Sequence, residues 1–174
     1  MDLVYDRTLS AALAFAREGR IEEWVHLYLP TDGRNRAFSD GLRLAPRVWK
    51  GPIRIPLSML TRICGPEEGM KWRVHPVQFE EHVAALVREI RSGGDLPPLI
   101  VHCCAEGLEL NDGNHRLEAY RRLGVGEGWA VFWATEGEEE FFPAVLDNMD
   151  APCYNKAENR QNHRQETERT STVL

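Results

Sequence analysis

Apolar residues recur at helical spacing in some stretches of the chain and alternate, or run together, in others. Phe79, Val83, Leu86, Val87 and Ile90 form the clearest stripe, opposite Glu80, Glu81, Arg88 and Glu89. They predict a helix over 79–91, ended by Ser92-Gly93-Gly94. Leu117, Tyr120 and Leu123 mark one face of a second helix that stops at Gly124. Near the N-terminus, 8–17 is rich in Ala and Leu, and Gly19 breaks it. Residues 21–29 then place Ile21, Trp24, Val25 and Tyr28 on one side, before Pro30 and the Asp32-Gly33 turn.

Strand signals lie between these helices. Ile53-Arg54-Ile55-Pro56-Leu57 alternates, with Pro56 marking an edge or a strand end. After Pro97-Pro98, Leu99-Ile100-Val101-His102-Cys103 reads as a buried strand. Ala105-Glu106-Gly107 is a hairpin-sized turn, and Leu108-Glu109-Leu110 the returning strand. Residues 129–134, Trp-Ala-Val-Phe-Trp-Ala, are apolar on both faces and predict a central strand. Residues 35–51 show no period and read as irregular, 57–60 as a turn or short helical step, and Cys64 to Gly69 as a loop. The expected organisation is a helical brace over 1–50, an α/β (or α+β) domain over 51–150, and a polar tail over 151–174. That tail is expected to be disordered unless a partner orders it.

Composition narrows the function classes. With 174 residues, 43% of them hydrophobic and 28% charged, the chain matches a soluble globular domain. No apolar run approaches the roughly 20 residues of a membrane span, and the first residues lack a signal-peptide pattern. A cytoplasmic protein without a membrane partner is expected. Cys64, Cys103, Cys104 and Cys153 form no CxxC pair, and the histidines show no HxxxH or HExxH spacing. Reduced cysteines and no structural zinc site are the expectation. A formal net charge of -6 opposes the phosphate contacts of nucleic acid, so a nucleic-acid partner is disfavoured.

The chemistry concentrates in Asp112-Gly113-Asn114-His115-Arg116, between a strand end and a helix start. Gly113 permits a left-handed turn and close approach of a phosphate to the backbone. The N–H groups of Asn114, His115 and Arg116 would face that phosphate at the positive end of the helix dipole. Arg116 is expected to grip phosphate oxygens and His115 to donate to another. Asp112 is expected to hold a Mg²⁺, to accept a proton from a substrate hydroxyl, or to cap the helix.

This order of elements, with Pro98-Leu99-Ile100-Val101, Glu106-Gly107 and the Asp112–Arg116 turn, resembles the ParB/sulfiredoxin-like superfamily. The resemblance runs from about residue 53 to 133 and is densest over 97–124. It implies a small mixed β-sheet with flanking helices, and a turn that holds nucleotide phosphates. Sulfiredoxins carry Gly-Cys-His-Arg and use the Cys; Asn114 stands in its place here, so that thiol chemistry does not carry over. ParB proteins carry Gly-Glu-Arg-Arg, bind CTP and continue into a helix-turn-helix domain. The turn is most similar to the Asp-Gly-x-His-Arg form of free-serine kinases, which use an acidic residue after the first strand; Glu67 or Glu68 is the candidate. The resemblance implies a nucleotide (ATP, ADP or CTP) with Mg²⁺ as cofactor and a small-molecule or protein partner. Phosphoryl transfer to a small molecule, or nucleotide hydrolysis, is the expected reaction. A DNA-binding or nuclease-like protein of ParB type, or a nucleotide-dependent interaction module without catalysis, is the alternative.

Overall fold

The structure, a computed structural model, describes residues 3–147 and 153–154. Three helices come first: α1 (Leu9–Arg17), α2 (Ile21–Tyr28) and α3 (Arg36–Leu42). Thr8 caps α1 by accepting from the Ala11 N–H, and Gly19 turns the chain at φ 68°. In α2 the buried residues are Ile21, Trp24, Val25 and Tyr28, the four that the spacing puts on one side. The helix α3 corrects the irregular reading of 35–51. Its sequence carries Ser, Asp and Gly, all weak helix formers, and it is held by the Asn35 cap on Phe38 N and by burial of Leu42.

The strands are β1 (Arg47–Pro56), β2 (Thr61–Arg62), β3 (Cys64–Gly65), β4 (Trp72–Arg73), β5 (Leu99–Cys104), β6 (Gly107–Asp112), β7 (Glu127–Thr135) and β8 (Cys153–Tyr154). Between them lie α4 (Pro76–Arg91) and α5 (Asn114–Arg122). One mixed sheet runs β2-β6-β5-β7-β1-β8, and β3 pairs with β4 separately. β5 and β6 form an antiparallel hairpin; β7 lies parallel to β5 and antiparallel to β1. β1 starts six residues ahead of the expected strand. Gly51 and Pro52 interrupt its alternation, and the register shifts between Lys50 and Ile53. The sequence reading ends its irregular stretch at Gly51 and starts the strand at Ile53, whereas the structure carries one strand through both residues with a bulge. Of the expected polar tail, only Cys153 and Tyr154 fall among the described residues, paired with Lys50 and Trp49.

The sheet is buried on both faces. Ala130, Phe132 and Ala134 of β7 pack with Ile53, Ile55, Leu99, Val101, Leu110 and Leu117 on one face. Val131 and Trp133 pack with Trp49, Ile100 and the apolar faces of α1 and α2 on the other. A strand apolar on both sides therefore sits mid-sheet, as its sequence predicts. No helix among the described residues is long and apolar enough to cross a membrane.

Candidate functional site

β6 delivers Asp112 to a sharp turn at Gly113 (φ 102°, ψ 20°), and α5 begins at Asn114. Only glycine fits there. A Cβ at Gly113 would lie 2.4 Å from Leu99 Cδ2 and 2.9 Å from Arg116 Nη2, besides the left-handed φ. The first helical bond runs from Leu117 N to Gly113 O at 2.9 Å. No side chain caps the helix and its first turn holds no acidic residue. The N–H groups of Asn114, His115 and Arg116 thus precede the hydrogen-bonded ladder at the positive end of the dipole.

The side chains of the motif divide into two sets. Asn114 points inward: its Oδ1 accepts from Ile63 N (3.0 Å) and Cys64 N (3.1 Å), and its Nδ2 donates to Leu110 O (3.0 Å). It latches the loop after β2 to the start of α5. Arg116 is also buried. Its Nη1 donates to Pro97 O (2.6 Å) and Pro98 O (3.3 Å), and its Nη2 to Tyr28 Oη (3.2 Å) and to Asp112 Oδ2. Tyr28 in turn donates to Asp112 Oδ2 at 3.1 Å. Burial opposes the Arg116 charge, but Tyr28 and Asp112 raise its pKa above the ordinary value. Burial, with Asp112 assisting against the guanidinium, likewise raises the Tyr28 phenol. The guanidinium is a structural tie between the Pro-Pro segment, the brace and the turn, and offers a ligand its charge more than free donors.

His115 is half-buried, its ring centroid 4.7 Å from Phe79 and 5.2 Å from His82. Burial first, then the His82 ring, lower its pKa below 6.5. At neutral pH it is a neutral imidazole with one N–H to donate. His115 borders a cavity of about 210 Å³ whose walls include Arg7, Tyr28, Asp32, Glu89, Asp112, Gly113 and Arg116. Arg7 reaches it from the N-terminal segment and pairs with Glu89 at 3.0 Å.

Glu67 and Glu68 are not among the cavity walls. Glu67 pairs with Arg62, which lies 5.0 Å over the Phe79 ring and 3.6 Å from Glu118. Burial opposes ionisation of Glu67, yet its backbone hydrogen bond and Arg62 hold its carboxyl below the usual value. Glu68 is exposed. The sequence reading missed Arg7, Tyr28 and Arg62. Tyr28 was legible only as an apolar position of α2; its hydroxyl at the end of a buried ring was the available signal.

No family model and no curated protein matches the chain. Among solved structures it is similar to sulfiredoxin from Arabidopsis thaliana, at 24% identity over 46% of this chain and 81% of that one, TM-score 0.36. It is similar to the truncated chromosome-partitioning protein ParB from Caulobacter crescentus complexed with CTP-gamma-S (22% identity, 47% and 43% coverage, TM-score 0.38). A free serine kinase in complex with AMP also matches, at 14% identity, 51% and 32% coverage and TM-score 0.36. Each likeness is partial. It covers about half of this chain, and the matched part spans less than half of the ParB and kinase chains.

Proposed function

We propose that the turn at Gly113 binds the phosphates of a nucleotide, ATP, ADP or CTP, together with Mg²⁺. The observation that carries this reading is the uncapped start of α5 beside a cavity that also holds Arg7 and His115. The cavity's size sets what is enclosed. About 210 Å³ is below the roughly 300–1,000 Å³ of pockets that engulf a ligand, so phosphates fit inside and the base lies outside. Charge sets the need for a cation. The walls carry the guanidiniums of Arg7 and Arg116 against the carboxylates of Asp32, Glu89 and Asp112, one negative charge in excess. A polyphosphate without a counter-ion is repelled; Mg²⁺ removes that penalty. Asp112 fits the ion, because Tyr28 and Arg116 both bond its Oδ2 and no described residue bonds its Oδ1.

The reaction we attach to this site is phosphoryl transfer to a small molecule or nucleotide hydrolysis. Positioning and charge supply most of such catalysis. Asp112 and His115, next to the helix start, are the cavity groups to which we assign the proton transfer. Glu67 and Glu68 stand outside the cavity walls, Glu67 being paired with Arg62, and we give them no part in the proton transfer.

Thermal shifts with ATP, ADP, CTP and GTP, with and without Mg²⁺, test binding. A Mg²⁺-dependent shift is expected, weakened about tenfold to a hundredfold in affinity by Arg7→Ala, the loss of one charge-assisted contact. Absence of any shift in a folded sample rejects it. A second reading rests on Tyr28, whose hydroxyl joins α2 to Asp112 and Arg116. It makes the site a nucleotide-dependent interaction module, and is favoured if nucleotide binds without release or transfer of phosphate.

A further inference from the structure

The β5–β6 hairpin carries a second cluster that the Gly113 site does not use. His102 of β5 stands opposite Glu109 of β6 in the strand register. Cys104, two residues along β5, returns to the same face as His102. One ligand atom from each of His102, Cys104 and Glu109 lies within 4.8 Å of the other two, and all three residues are partly buried. The imidazole is held in place by Trp133, stacked on it at 3.8 Å and 7°, whose Nε1 is anchored on Asn111 Oδ1 at 3.0 Å. His102 Nε2 is buried and has no hydrogen-bond partner among the described residues. A buried polar atom left unmet is uncommon and costly. The cluster already draws a cation, since the Lys71 ammonium pairs with Glu109 Oε1.

We propose that His102, Cys104 and Glu109 bind a divalent transition-metal ion, with Zn²⁺ the natural occupant. One imidazole, one thiolate and one carboxylate form a borderline donor set that suits Zn²⁺ and excludes the oxygen-seeking Mg²⁺ and Ca²⁺. Three protein ligands leave a fourth position to water or to an exchangeable ligand, the pattern of reactive rather than purely structural zinc. Metal–ligand bonds of about 2.0–2.3 Å require the three atoms to draw in by roughly 1 Å. Rotation of the Cys104 side chain, beside the hairpin's turn, and of Glu109 supplies that movement while the stacked His102 stays fixed. Binding deprotonates the Cys104 thiol, whose proton passes to water, and releases Lys71 from Glu109. The ligand pattern is His-x-Cys along one strand with Glu across the hairpin, so neither CxxC nor HxxxH spacing announces it.

Titration of the full-length, metal-free chain with Co²⁺ tests the site. The expected result is one equivalent bound, with a near-ultraviolet thiolate-to-cobalt band, intense visible bands of four-coordinate cobalt, and displacement by Zn²⁺ but not by Mg²⁺. Cys104→Ser removes the thiolate band. Glu109→Gln weakens binding by at least the roughly 10–100-fold that loss of an outer-shell partner costs. Lys71→Met, an exposed change, tightens it. A folded sample without the thiolate band, a band that survives Cys104→Ser, or an affinity unmoved by both Glu109→Gln and Lys71→Met overturns the proposal.

Discussion

Arg116 and Arg7 border the same cavity but answer to different physics. Arg116 is 6% exposed in its side chain and its loss strands the Asp112 carboxylate and two proline carbonyls. Arg116→Met should cost about 3–5 kcal/mol in urea unfolding, the usual effect of breaking a buried pair. Arg7→Ala, at a side chain 51% exposed, should stay within about 0.5 kcal/mol. Asn114→Ala loses three hydrogen bonds, two of them buried and one part-buried, at about 1 kcal/mol each. Equal costs for Arg116 and Arg7 would contradict the tie. His115 supplies a pH signature in nucleotide- and metal-free buffer. Its folded pKa lies below 6.5, through burial and the facing His82, with Arg62 and Arg116 adding and Asp112 opposing. The unfolded chain therefore binds the proton first. The stability is present in full above pH 6.5 and is lost as pH falls toward the folded value. His115→Gln should flatten that slope in denaturation midpoints. The sequence disclosed the turn, its glycine and the helix dipole, because these depend on local chemistry. It did not disclose that Asn114 and Arg116 turn inward, because their partners at Ile63, Pro97 and Tyr28 are remote in sequence.

At the scale of elements, amphipathic periods were legible and interrupted ones were not. α1, α2, α4, the hairpin and β7 follow from their spacing, whereas α3 and the first half of β1 do not. Seven residues make too short a window for α3, and Gly51-Pro52 breaks the alternation of β1. The link between α1 and the segment before β5 was hidden for another reason: it is a cap supplied from far away. The Asp95 carboxylate accepts from Leu9 N (3.0 Å), Ser10 N (3.3 Å) and Ser10 Oγ (2.5 Å), placing an anion at the start of α1. Asp95→Ala should cost about 0.5–2 kcal/mol, as loss of a helix cap does, and Asp95→Asn less. Hydrogen exchange should locate the loss, with amides of α1 exchanging faster than those of β5. Uniform acceleration in both elements would instead make Asp95 a residue of global stability.

At the scale of the molecule, the question is whether the N-terminal helices and the sheet unfold as one. α1, α2 and α3 span 9, 8 and 7 residues, below the roughly 12–15 at which isolated helices become even marginal. Their stability must come from packing, and the surface they pack on is the sheet: Trp49, Ile100, Val131 and Trp133 share one core with Phe15, Trp24 and Val25. The same strands bury the opposite core, so neither layer can leave without exposing the other. A polar line crosses this boundary. Trp24 Nε1 donates to Asp6 O at 2.9 Å, its ring stacks on Tyr28 at 5.0 Å, and Tyr28 reaches Asp112 and Arg116. The expected outcome is one transition, with tryptophan fluorescence and far-ultraviolet dichroism coincident and calorimetric enthalpy equal to the van't Hoff value. Mg²⁺-nucleotide at 100 times its Kd should then stabilise both probes together by about 2.7 kcal/mol. Separate midpoints, with only the sheet responding to nucleotide, would make the helices an independent layer and remove the basis for coupling through Tyr28.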